Sequence, residues 1–202
     1  MHPADCIVAF DFDGTLTHTE TLSRFLLRGL PWTRLALAML RIPMGIVHLC
    51  KRGWSRSHVK EEAIGLFTRG LDAEVFLAYA HRYARAQLSS YISPERLAIL
   101  KSYQKRGVPI YLVSGSLAAY LKPWGEEQGI QGICGVDLEI DTRGCLSGRF
   151  AGLNCWAQEK VHRLSELVDL SEHSLIVFGD TIGDQALMER AWEAHHLPRA
   201  CK

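Results

Sequence analysis

Cys6-Ile7-Val8-Ala9-Phe10-Asp11-Phe12-Asp13-Gly14-Thr15-Leu16-Thr17 is the stretch on which the fold turns. Ile7 to Phe10 is a short apolar run, the pattern of a strand covered on both faces of a parallel sheet. It ends in two aspartates two residues apart, followed by Gly14, which permits a sharp turn. Open α/β sheets place their chemistry at the carboxyl ends of such strands. Two carboxylates this close repel, and one is pushed toward its neutral form unless a cation lies between them. The pair therefore suggests a divalent metal, a nucleophile and a neighbouring acid in one place. The plainer reading is a strand followed by an Asp-Gly turn, which is common by itself.

Three later stretches repeat the pattern of an apolar run ending in polar residues, or lie between such runs. Val108 to Val113 leads into Ser114-Gly115-Ser116 and then a helical pattern from Ala118 to Gln128, within which Pro123 suggests a break. A strand end feeding a helix N-terminus suits anion binding, because the first N–H groups of the helix lack partners. Leu175 to Phe178 ends in Gly179-Asp180-Thr181-Ile182-Gly183-Asp184, with a helix expected from Gln185 to Trp192 and a last short strand near His195. Asp180 and Asp184 fit either a polar turn or hard oxygen ligation of Mg²⁺. Lys160 stands near a helix start, where a lysine is usually solvated. Residues 135–141 and 145–150 read as a hairpin around Thr142-Arg143-Gly144.

Taken together and in this order, these stretches resemble the haloacid dehalogenase superfamily, in its phosphoserine-phosphatase-like branch. The resemblance implies an α/β fold: a Rossmann-like parallel sheet core, residues 1–17 and 89–202, with an inserted helical cap, residues 18–88. It implies a Mg²⁺-dependent phosphomonoester hydrolase. Asp11 would form an aspartyl-phosphate. Asp13 would protonate the leaving group and then activate water. Ser114 and the Gly115 N–H would bind phosphate, and Lys160 would neutralise charge. Asp11, the backbone carbonyl of Asp13 and Asp180 would hold the metal, while Asp184 would orient a metal-bound water or the lysine. A second Asp at position 13 favours phosphomonoester hydrolysis over the superfamily's dehalogenases and ATPases. An idle binding protein of the same fold is the reading from a different class.

The cap decides the substrate. Glu20 fits the spacing at which phosphoserine phosphatases hold a substrate amine, and equally the first turn of a helix, which favours acids. Thr19 or Thr21 is a candidate cap for that helix. In phosphoserine-specific relatives an Arg in the cap grips the substrate carboxylate. Counting back from Gly70-Leu71 puts Ile64 at that register, with Arg56 and Arg69 out of step. Residues 55–89 read as helices broken at Gly70, with Val59, Ala63, Leu66 and Phe67 on one face.

The chain has 202 residues and a formal net charge of +1, so no global field points to nucleic acid, and none is expected as a partner. The charge is uneven, however. Eight of the 23 basic residues and none of the 22 acidic ones lie between Thr21 and Lys60. Residues 30–54 are also the most apolar part of the chain, with Trp32 and Trp54 at the ends and Arg34, Arg41, Pro31 and Pro43 interrupting. Those ingredients fit an interfacial element that touches membrane or lipid. They fit equally a cap helix that packs its apolar face inward and solvates its cations. The expected partner is accordingly a small phosphorylated substrate or a phospholipid headgroup. Six cysteines without CxxC spacing read as reduced thiols, and residues 1–5 carry no leader pattern. Both point to a cytoplasmic protein, with peripheral contact at the inner membrane face as the further expectation.

Overall fold

The computed structural model describes residues 6–197. The leader reading at residues 1–5 and the thiol of Cys201 lie outside the described residues. Strand β1, Cys6–Phe10, is the centre of a five-stranded parallel sheet. It pairs with β2, Ile110–Leu117, on one side and with β6, Ser174–Gly179, on the other. The sheet is completed by β3, Gly132–Val136, beside β2 and by β7, Glu193–His196, beside β6. Ile7, Val8, Ala9 and Phe10 are all buried, so both faces of β1 are covered, as the unbroken apolar run requires. From β1 the sheet grows through β2 and β3 in one direction and through β6 and β7 in the other. That reversal opens a crevice at the carboxyl ends of β1 and β6. The Asp11 N–H donates to the Phe178 carbonyl at 2.9 Å, carrying the ladder one residue beyond β1 and fixing where Asp11 leaves the sheet.

Between β1 and β2 lie the helical elements of the insertion. They are α1, Thr21–Arg24, which runs into a π-helical turn over Phe25–Gly29; α2, Trp32–Arg52; α3, Arg56–Thr68; and α4, Ala73–Ala86. Helix α5, Pro94–Lys105, then leads back to β2. Its N-cap Ser93 accepts from the Arg96 N–H at 3.5 Å. A cluster of Phe25, Tyr83 and Tyr120 joins the insertion to α6, Ala118–Gln128, with ring centroids 5.2–5.5 Å apart. A two-stranded hairpin, β4 (Leu138–Ile140) with β5 (Leu146–Phe150), packs on α3 and is tied to it by main-chain bonds at Gly70 and Leu71. Helices α7, Gln158–Ser165, and α8, Gln185–Met188, complete the layer beside the sheet.

Several local expectations change. Pro43 and Pro123 sit inside continuous helices. Each removes a single backbone bond, and α6 is held on both sides of Pro123 by buried Tyr120, Leu121 and Trp124. The hairpin is shorter than expected, because Gly135 and Val136 are taken by the edge of β2. Helix α8 stops at Met188, where the chain turns so that the Trp192 N–H reaches the Leu175 carbonyl at 2.8 Å and β7 can pair with β6. The buried face of α3 carries Glu61, Glu62, Ile64, Gly65 and Thr68, whereas Val59 and Ala63 are exposed. Helix α3 is sandwiched between α2 and β5, and the surface it meets there is polar.

Candidate active site

Each functional side chain is delivered by the end of an element. Asp11 and Asp13 follow β1, Ser114 to Ser116 lie in the last residues of β2, Lys160 is in the first turn of α7, and Asp180 and Asp184 follow β6. Gly14 makes the turn after β1 with φ +86°, and a Cβ there would come 2.2 Å from Asp180 Oδ2. Any side chain at position 14 would therefore displace Asp180. Ala157, the residue before α7, is held at φ +52°, a strained backbone for a residue with a Cβ. The strain falls between Trp156, which lines the site, and the turn that carries Lys160.

Lys160 is buried and reaches two carboxylates, Asp11 Oδ1 at 2.6 Å and Asp184 Oδ1 at 2.5 Å. Asp184 Oδ2 accepts from the Thr181 N–H at 3.0 Å and its hydroxyl at 2.9 Å, which locks the carboxylate toward the lysine. Asp13 is turned a different way. Its Oδ1 accepts from the Thr21 N–H at 3.0 Å and the Thr21 hydroxyl at 2.6 Å, and its Oδ2 from the Ser116 hydroxyl at 2.5 Å. The Thr21 hydroxyl also lies 3.2 Å from the Tyr120 hydroxyl, and the Thr21 carbonyl accepts from Tyr83 at 2.9 Å. Thr21 thus does not cap a helix: Glu20 holds the N-cap position, without a side-chain cap bond.

Burial disfavours the charged form of both catalytic candidates. Asp11 is pushed up to about 7, chiefly by burial, with the Lys160 charge pulling it down and the Asp184 and Asp13 charges pushing further up. Burial also raises Asp13, against the bonds from Ser116 and Thr21 that favour its anion. For Lys160, burial works to remove the proton, but the Asp11 and Asp184 charges outweigh it and hold the ammonium well above its usual value.

Asp11, Asp180 and Asp184 each offer a carboxylate oxygen, all within 4.8 Å of one another. Those three acids face one ammonium, so the group carries an excess of negative charge that a divalent cation would balance. The donors are hard oxygens, which suit a hard cation. The site fits a metal. Asp184 joins the cluster by its side chain, while the Asp13 side chain is committed to Thr21 and Ser116, leaving its main-chain carbonyl for the ligand role expected of that residue.

A cleft of about 300 Å³ opens over these groups. Asp11, Asp13, Glu20, Ser114, Gly115 and Lys160 all line it, so the structure brings the expected site residues together. Ser114 is buried, and its hydroxyl accepts from the Ser116 N–H at 3.2 Å. Trp156 and Lys60, not singled out from sequence, also enter, with Ser116, which follows the Ser114-Gly115 pair, and Arg56, which the sequence put out of step. Lys60 donates to the Gly115 carbonyl and, at 3.2 Å, to Asn154 Oδ1, so the insertion is fastened directly to the end of β2. Burial lowers the Lys60 pKa, opposed by the nearby Asp13 charge. The two positions weighed from sequence as carriers of a cap arginine part company here. Ile64 is fully buried in the core, while Arg56, at the start of α3, is the arginine that reaches the cleft.

Residues 8–189 match the haloacid dehalogenase-like hydrolase family. The protein CicA of Caulobacter vibrioides is 29% identical over 188 residues, covering 93% of this chain and 83% of CicA. A phosphoserine phosphatase of Archaeoglobus fulgidus is 25% identical over 191 residues, covering 92% of this chain and 50% of that one. A crystal structure of a protein of unknown function from Bordetella pertussis shares the fold, with a TM-score of 0.71 at 17% identity, covering 93% of this chain and 87% of the other. With Asp11, Asp13, Lys160 and Asp180 all in place, an idle binding protein of this fold has no support. The chain belongs to the haloacid dehalogenase-like hydrolases, and is similar to their phosphoserine-phosphatase-like branch.

Proposed function

We propose that the protein hydrolyses a compact phosphomonoester carrying an amine and a carboxylate, of the phosphoserine type. One observation carries this reading: Glu20 and Arg56 line the same cleft as Asp11. Glu20 would receive a substrate ammonium, and Arg56, with Lys60 beside it, a carboxylate. The Asp11 carboxylate attacks phosphorus as the ester P–O bond breaks, and Asp13 gives its proton to the departing oxygen. Asp13 then takes a proton from water, whose oxygen attacks the same phosphorus. The bond to Asp11 breaks, inorganic phosphate leaves, and both aspartates return to their starting forms. Splitting hydrolysis in two avoids one harder step. Lys160, the Ser114 hydroxyl and the Gly115 N–H stabilise charge on the transferring group. Mg²⁺, held by Asp11, Asp180 and the Asp13 carbonyl, would supply further charge neutralisation when bound.

A second reading, a phosphate ester with an apolar portion met at a membrane surface, is favoured by the outward-turned apolar side of α2. A cytoplasmic location, peripheral on the inner membrane face, goes with it and is supported by the five described cysteines, all free. The test is kcat/KM for phosphoserine against that for a phosphatidylglycerophosphate-type lipid, in wild type and Arg56→Ala. The first reading expects wild type to prefer phosphoserine. It also expects Arg56→Ala to raise KM for phosphoserine by about tenfold or more, the loss of one charged contact, with little change for p-nitrophenyl phosphate. A ratio favouring the lipid, or an Arg56→Ala effect equal on both substrates, would reject it.

A further inference from the structure

Helix α2 is built inside out. Its protein-facing stripe runs Arg34, Ala38, Arg41, Gly45, His48, Leu49, at spacings of three and four. Two of these are small, and a Cβ at Gly45 would come within 3.1 Å of Leu66 on α3, so the helices approach closely. Leu49 is apolar and buried, and the remaining three, Arg34, Arg41 and His48, find polar partners. Arg34 donates to the Arg69 carbonyl at 3.3 Å, and Arg41 to the Leu66 and Arg69 carbonyls at 3.1 Å each. These are carbonyls at the C-terminal end of α3, which lack helical donors. His48 Nδ1 lies 3.3 Å from Glu62 Oε1, and at the end of the helix Arg52 donates to Glu61 Oε2 at 2.5 Å.

The other side of α2 is apolar and bare. Trp32 is 78% exposed, Leu40 79% and Met39 64%, with Met44, Ile46 and Val47 beside them. A surface helix of a water-soluble domain does the opposite, burying its apolar stripe and wetting its polar one. Leu35, Leu37 and Ile42 widen the bare surface to roughly two-thirds of the circumference at 3.6 residues per turn. A stripe packed on a neighbouring element is about 100° wide, so a single partner helix would leave most of this surface wet. A fluid apolar medium would not. Helix α2 is long and apolar enough to cross a membrane by length and composition. Crossing would drag Glu61, Glu62 and the arginines tied to α3 into hydrocarbon, which is costly. Lying flat in the interface leaves that polar side on the protein. Trp32 and Trp54 mark the two ends, exposed Arg28, Lys51, Arg52 and Arg56 flank them, and no acid lies between Thr21 and Lys60.

We propose that the outer face of α2 docks flat on an anionic lipid bilayer. Arg56 follows α2 by four residues and lines the active-site cleft, so docking would set the mouth of the cleft at the membrane surface. The inference goes beyond the phosphatase activity and does not depend on it.

The test is sedimentation of the whole protein with phosphatidylcholine vesicles, with and without phosphatidylglycerol. Wild type should sediment with the anionic vesicles at low salt, several-fold less at about 0.5 M salt, where surface charge is screened, and weakly with phosphatidylcholine alone. Leu40→Glu/Met44→Glu should cut the bound fraction by about tenfold or more, since charge on the apolar face opposes insertion. Its p-nitrophenyl phosphate turnover without vesicles should be unchanged, which also shows that it folds. Arg28→Glu/Lys51→Glu, which leaves the apolar face intact, should lower binding to anionic vesicles and carries the test if the first variant does not fold. Wild type left in the supernatant, or both variants binding as wild type does, would overturn the proposal. So would a dimer in sedimentation velocity that Leu40→Glu/Met44→Glu dissolves while vesicles are ignored, because a second copy would then be what covers the face.

Discussion

Thr21 grips one carboxylate oxygen of Asp13 twice, through its backbone N–H at 3.0 Å and its hydroxyl at 2.6 Å. The first helix of the insertion thereby aims the carboxylate proposed as the acid, and Tyr120 backs the hydroxyl from the core at 3.2 Å. Thr21→Val keeps the shape and the N–H bond but loses the hydroxyl. We expect kcat for p-nitrophenyl phosphate to fall about 10- to 100-fold with KM little changed, the usual scale for a misaimed catalytic group. Thr21→Ser should restore most of it. Equal kcat in Thr21→Val and wild type would show that the N–H and Ser116 suffice.

Asp11→Asn replaces the proposed nucleophile with a near-isostere. Loss of a covalent route should cost several decades of rate, leaving less than about 1% of wild-type turnover. The circular dichroism spectrum and melting profile should remain those of a folded protein. Residual activity above that level would argue against attack by Asp11.

Removal of divalent metal should stop turnover reversibly. With Asp11, Asp180 and Asp184 crowded within 4.8 Å of one another, the site without a cation holds uncompensated negative charge against an anionic substrate. Excess chelator should abolish p-nitrophenyl phosphate hydrolysis, and added Mg²⁺ should restore it. Undiminished activity in chelator would refute the metal requirement.

Ala157 carries a stability prediction of the opposite sign. At φ +52° its Cβ is strained, and Gly adopts such backbone readily. Ala157→Gly should stabilise the fold by about 1 kcal/mol, the lower end of such strain after the added chain entropy of Gly. Because Lys160 lies three residues on, kcat should be measured alongside urea unfolding. A destabilised variant would mean that neighbouring contacts, not the residue's own backbone preference, decide this position.

Much of the site was legible in the residues because it is assembled from local signals. An apolar run makes a buried strand, its end must face the crevice of a parallel sheet, and the polar residues next in sequence follow it there. That logic places Asp11, Asp13, Ser114 and Asp180 without knowledge of any distant contact. Tertiary structure alone decided what each side chain touches. Ser116 reaches Asp13, and Lys60 reaches Gly115, from segments 103 and 55 residues away. Arg56, at the start of α3, meets the cleft, whereas position 64 faces the core, a difference set by how α3 packs. The orientation of α2 was equally beyond the sequence. Periodicity shows that a helix has two unlike faces, while the choice of inner face depends on the surface it meets. Here that surface is the carbonyl end of α3 with Glu61 and Glu62. It binds arginines better than leucines, and so the apolar face is left outside.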